Sequence, residues 1–204
     1  MNLQSPFLSL PPVPLVLDAS ALINLLGTGA AGEILGHLAR PVLVECVALA
    51  ELTRHPLPDR NHQAELESLF ASKLLTKAVM SAQALIVFYG LVSDDIAGGL
   101  DDGEAATIAM AVSEAVGAIP VIDEKKASRI FSERWSERQV TDSITMLSQA
   151  AVIEGLQYDG YVDAIYSALF HARMRTPKGA RPWIENLLGP ERVSACSSLG
   201  IQPR

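Results

Sequence analysis

The stretch VPLVLDASALINLLG, residues 13–27, carries the first decision about the fold. Val13 to Leu17 is a short apolar run that ends on Asp18, which reads as a buried strand delivering an acid at its carboxyl end. Ser20 then opens a helical segment, ALINLL, stopped near Gly27 and Gly29. A second run of the same kind, IPVID, places Asp123 directly after its apolar residues.

Between and after these two runs the chain alternates strands and helices. A helix is expected over Gly32 to Ala39, a strand over PVLVE from Pro41, and a short helix over Cys46 to Arg54, ended by His55-Pro56. Leu66, Leu69, Phe70 and Leu74 recur at helical spacing within Asp59 to Leu75, and another helix spans Ser81 to Ser93. After the polar, glycine-rich SDDIAGGLDDG comes a helix from Asp102 to Val116, with Ile108, Ala109, Val112 and Val116 on one face. Beyond IPVID the pattern gives a helix over Glu124 to Arg134, a short strand at Gln139–Thr141, and helices near 143–154 and 159–174. Brief connections between alternating elements indicate an α/β fold, a three-layer α/β/α sandwich on a central parallel sheet. Residues 1–12 read as an extended leader, 13–175 as the domain, and 176–204, rich in Pro, Gly and Ser, as a C-terminal extension.

Composition narrows the function classes. With 204 residues, 49% hydrophobic and 19% charged, the chain can bury one substantial core. No apolar run is long enough to span a bilayer, and the prolines in MNLQSPFLSLPPVPLVLD, which lacks a basic start, argue against a signal segment. Cys46 and Cys196 share no metal-type spacing, so a reducing cytoplasm is the expected setting, with Cys46 a small buried apolar residue. A net charge of −7 works against gripping nucleic acid by bulk electrostatics. Any such role needs local basic patches, or metal ions to neutralise the acids.

In open parallel sheets ligands collect beyond the carboxyl ends of the strands, where Asp18 and Asp123 are expected. Two carboxylates there suit a hard divalent cation, which favours oxygen ligands. Asp18 is equally able to cap the helix that follows it. Glu51 stands four residues after Val47, on the inward face of its helix, where a carboxylate is costly unless paired or ligating; otherwise it lies half-exposed beside Arg54. Glu104 opens the next strong helix, and Asp101-x-x-Glu104 also satisfies a capping box. Asp101 and Asp102 are further caps or an outer ligand.

Four motifs in order, VLDASALINLL, VECVALAEL, DDGEAATIAMA and VIDEKKASRI, resemble those of the PIN-domain nucleases, over about residues 13–155. The likeness is greatest to the prokaryotic branch related to VapC-type toxins. That resemblance implies a Mg²⁺- or Mn²⁺-dependent endoribonuclease, either a toxin restrained by an antitoxin or an RNA-processing enzyme. It assigns the metal-binding and catalytic acids to Asp18, Glu51, Glu104 and Asp123, with Asp102 and Glu124 as alternatives, and matches Ser20 to the hydroxyl residue after the first acid. The helix pair around 59–93 falls where such toxins dimerise, so a homodimer is expected. A non-catalytic PIN-fold module binding RNA or protein is the second reading. A haloacid-type phosphatase would want Asp-x-Asp after the first strand, where this chain has Asp18-Ala19-Ser20, and no glycine-rich phosphate loop is present.

For contact with RNA, the acid-free run from Ala164 to Ile184 supplies Arg173, Arg175, Lys178 and Arg181, near His171 and Tyr166. Lys125, Lys126 and Arg129 follow Asp123. Trp135 and Trp183 are candidates either for base stacking or for the core.

Overall fold

Leu15, Val16 and Leu17 are all fully buried, which requires a strand covered on both faces. A computed structural model of the chain describes residues 6–94, 99–114, 117–177 and 179–199. The first five and last five residues, Val116, Lys178 and part of the SDDIAGGLDDG loop lie outside the described residues.

The strand is β1 (Leu15–Leu17), and the chain continues through α1 (Ala19–Gly27), α2 (Ala31–Leu38), β2 (Val42–Glu45), α3 (Cys46–Ala50) and α4 (His62–Ala71). Then come β3 (Thr76–Ala78), α5 (Ala82–Val92), α6 (Asp102–Ser113), β4 (Ile119–Val121) and α7 (Lys125–Arg134). The described chain ends with α8 (Ser143–Leu147), α9 (Ala150–His171), α10 (Arg181–Ala195) and a 3₁₀ turn over Ser197–Leu199. All strand pairs are parallel, in the order β3-β2-β1-β4. Thr141 adds one parallel bridge to Val121, so the strand expected at Gln139–Thr141 is reduced to a single rung.

Strand alternation divides the core in two. Leu15 and Leu17 face the layer of α1, α2, α8, α9 and α10, while Val16 faces Met110 and Ala111 of α6. α6 lies across β1, β2 and β4 and is flanked by α5 and α7. The result is the α/β/α sandwich expected from the sequence, with α6 buried along most of its length.

Three local features depart from the sequence reading. β3 was not anticipated: Thr76 and Lys77 are exposed, and an edge strand of three residues carries no apolar run to betray it. The break expected between 154 and 159 falls at the Gln157 kink of α9 (φ 59°, ψ 169°), and a second break, at Ser148–Gln149, was not expected. The segment after Thr176 forms α10, and its Ile184, Leu187 and Leu188, followed by Cys196 and Leu199, join the main core. The leader docks there too: the Leu10 amide donates to Gln149 Oε1 at 2.8 Å, and the Phe7 ring meets Trp183 edge-on. Trp183 and Trp135 are both partly buried against core residues, the packing alternative of the two. Cys46 is half-buried, its thiol donating to the Ala78 carbonyl, while Cys196 is buried.

Candidate active site

Parallel pairing of β1 with β4 brings their carboxyl ends side by side, and Asp18 and Asp123 with them. Asp18 is 2% exposed and caps α1, its Oδ1 accepting from the Ala21 amide at 2.5 Å. The Asp123 amide donates to the same carboxylate. Burial, then the charge of Asp123, pushes the Asp18 carboxyl up to about 8, against two opposing backbone hydrogen bonds; Glu104 adds a smaller push. Near neutral pH Asp18 therefore favours its protonated form.

Asp123 is clamped by residues distant in sequence. Its Oδ1 accepts from the Ser143 amide at 2.8 Å, and its Oδ2 from the Ser143 hydroxyl at 2.6 Å and Asn24 Nδ2 at 2.6 Å. Its carboxyl is raised too, by burial first, these hydrogen bonds opposing. Asn24 and Ser143 were not singled out in the sequence. The signal for Asn24 was available, as the one polar residue within the apolar LINLL; Ser143 looked like part of an ordinary helix start.

Glu104 stands in the first turn of α6, half-buried, and its carboxyl is raised by burial, then by Asp101 and Glu124, with Lys126 opposing. The capping box is half closed. The Asp101 amide donates to Glu104, but the Asp101 side chain returns no cap hydrogen bond. Asp102 is exposed and acts on Glu51, not on Asp18.

Glu51 is set apart. It is the exposed C-cap of α3, and its carboxylate lies against Gly103, accepting from that amide and leaving no room for a Cβ there. Its carboxyl is raised by partial burial, then by Asp101 and Asp102. The acid that ends β2 is Glu45, as buried as Asp18, which caps α3 by accepting from the Val47 amide. The four expected acids thus resolve into Asp18, Asp123 and Glu104, with Glu51 on the other flank of the α6 N-terminus.

Glu104, Asp123 and Glu51 border three adjoining cavities. The central one, about 340 Å³, is lined by Ser20, Asn24, Asp101, Glu104, Asp123, Glu124, Arg173 and Arg175. A cavity of about 460 Å³ shares Asp123 and Arg175 with it, and another of about 570 Å³, beside Glu51 and His171, shares Ile23, Ala172 and Arg173. Residues 171–177 wall all three. Met174 is buried between exposed Arg173 and Arg175, so this wall is anchored while its arginines face outward. Arg173 has a positive φ of 57°, unfavourable for a side-chain-bearing residue.

Of the other basic residues, Arg175 pairs with Glu124, Lys126 donates to the Gly99 carbonyl at 2.5 Å, and Lys125 is exposed on the wall of the 460 Å³ cavity. Arg181 is bound to Glu185, and Tyr166 lies under the Arg192 guanidinium, away from these walls.

Asp18, Asp123 and Glu104 offer only oxygen donors and are electrostatically linked, a donor set that suits a hard divalent cation. As placed, no three His, Cys, Asp or Glu side chains among the described residues stand close enough to hold one. No protein-family model matches the chain, and no curated protein matches its sequence.

Proposed function

We propose that the chain is a Mg²⁺- or Mn²⁺-dependent endoribonuclease of the PIN-domain type. One observation carries this reading: two acids at the ends of adjacent parallel strands act on one another, the buried one raised to about 8, and the other, Asp123, opens onto a groove whose wall includes Arg173 and Arg175. Two carboxyls held this close resist ionising together, and such arrangements mark sites built for a cation or a proton.

Asp18, Asp123 and Glu104 are the residues that would hold the cation, with small side-chain rotations, and Glu51 would join from the flank. A bound divalent cation supplies charge to activate water and to stabilise the leaving oxygen of a phosphodiester. The protein's own groups do the rest. Ser143 and Asn24 fix the Asp123 carboxylate, Ala21 and the Asp123 amide fix Asp18, and Arg173 and Arg175 hold flanking phosphates against the groove wall. Ser20 and Lys125 extend that contact to either side. The acidic net charge is compatible with RNA because the cation and this strip face the phosphates.

The test is cleavage of a mixed RNA pool with Mn²⁺, with EDTA, and by Asp18→Asn. Cleavage in Mn²⁺ alone, lost in the variant while its circular dichroism is unchanged, supports the reading; EDTA-resistant cleavage or full activity in the variant overturns it.

A non-catalytic RNA- or protein-binding module is the second reading. It is favoured by the structural duties the acids already have, Asp18 as a cap and Asp123 as an acceptor from Ser143. A module of this kind shows no cation-linked rise in melting temperature. The partners proposed with the nuclease are an antitoxin protein covering the groove and a second copy of the chain. Ile86 and Tyr89 of α5, 67% and 62% exposed, with Leu85 on the same helix, form the face the second copy would cover. No helix among the described residues is long and apolar enough to cross a membrane.

A further inference from the structure

The 460 Å³ cavity beyond Asp123 is not needed to hold the acids together. It lies between the α7 side of the sheet and the 171–177 wall, and its volume falls within the range of small-molecule sites. Because Asp123 and Arg175 line both this cavity and the central one, a phosphate seated at the acids has its neighbouring nucleoside at the cavity mouth. We propose, resting on the nuclease reading above, that this cavity seats the nucleoside adjoining the cleaved phosphate and discriminates its base through Asp142.

The chemistry of the lining fits a base and its sugar. Val140 and Pro177, both half-buried, provide apolar faces for a flat ring, over the buried Ile122. Lys125 has no ion-pair partner among the described residues and stands where a phosphate oxygen would enter. The Thr176 hydroxyl is buried without a hydrogen-bond partner, so turning it into the cavity forfeits no bond. Asp142 caps α8 through Oδ1, which accepts from the Thr145 amide at 2.8 Å. Its Oδ2 is free of that duty, and a carboxylate can only accept. The ligands favoured are therefore nucleotides with an exocyclic amino group, adenine, cytosine or guanine. Uracil, whose single ring N–H lies between two carbonyls, is disfavoured.

The experiment uses the ¹⁵N-labelled full chain in EDTA, titrated with AMP, CMP, GMP, UMP and inorganic phosphate, and followed by amide chemical shifts. The amino-bearing nucleotides should move the amides of Ile122, Val140 to Asp142 and Thr176, with UMP about tenfold weaker. Phosphate alone should move only the Lys125 and Arg175 region. Asp142→Asn keeps a competent helix cap and should bring the four nucleotides to within about twofold of one another. Val140→Trp, which fills the slot, should abolish the response. Nucleotides that move no more than phosphate does overturn the assignment, as does an unchanged preference in Asp142→Asn. Metal-free binding also separates the two claims. Binding as expected without Mn²⁺-dependent cleavage leaves the cavity standing and removes the nuclease, whereas Asp18-dependent cleavage without nucleotide binding removes only the cavity.

Discussion

Asp18 and Glu45 are alike by every local measure. Each follows or ends a buried parallel strand, each is 2% exposed, and each caps the helix that begins immediately after it. Yet Asp18 has Asp123 and Glu104 acting on it and is raised to about 8. The difference lies in the neighbouring strand. β1 has β4 beside it, which delivers Asp123, and α6 above it, which delivers Glu104. β2 has on its outer side β3, whose last residue, Ala78, is the partner of Glu45 in register. An acid at a strand end is a cap until topology brings it a second acid.

The largest test of that distinction is a pair of variants. Asp18→Asn should lower RNA cleavage by at least about a thousandfold, since it removes a group at the centre of the cluster. Glu45→Gln should leave cleavage in place and cost only about 1 kcal/mol of stability, the value of a helix cap, measured by urea unfolding. Equal losses of activity would erase the contrast.

Glu51 sharpens it further. Since Glu51 rests on Gly103 and not on Asp18, Glu51→Gln should weaken the Mn²⁺ midpoint by about tenfold, less than Asp18→Asn does, in a titration followed by melting temperature. If the two variants match, cation binding must draw Glu51 across the mouth of the groove.

The pH dependence of stability offers a smaller effect with a definite sign. Unfolded Asp18 loses its proton near 3.8, but the folded group retains it up to about 8. Between those values the folded state binds more protons, so metal-free stability should fall as pH rises. Scanning calorimetry should show a decline of a few degrees across that window, roughly halved or more in Asp18→Asn. Added Mn²⁺ should raise the melting temperature more at the alkaline end, where it no longer competes with that proton. The smallest expected effect is on the salt dependence of RNA binding: replacing Arg173 and Arg175 together by Ala should flatten the slope by about 0.7 per arginine. An unchanged slope returns both to ordinary surface residues.

The sequence disclosed what short-range chemistry controls. Apolar runs closed by Asp18 and Asp123, and the helix starts near Ser81 and residue 143, follow from residues within a turn of one another. β3 escaped because an exposed edge strand is held by its ladder bonds to β2 and not by an apolar pattern. Asn24 and Ser143 escaped because their task is defined only when residues 99 and 20 positions from Asp123 meet it. The capping pattern at Asp101 and Glu104 was visible, but which half of it forms depends on acids brought from elsewhere. Glu51 was placed by its resemblance to a motif, and local spacing could not say that Gly103 would hold it to one side.

The wall at residues 171–177 has a consequence for the order in which the molecule is made. Every acid of the central groove has been synthesised by residue 124, but the arginine wall is anchored by Met174 and followed by Ala180 and Ile184, all in the same core. The main core, to which Leu10 and Phe7 also belong, is completed only when α10 folds back upon it. On the nuclease reading proposed above, a nascent chain that has not yet delivered α10 would hold its acids without a finished groove around them.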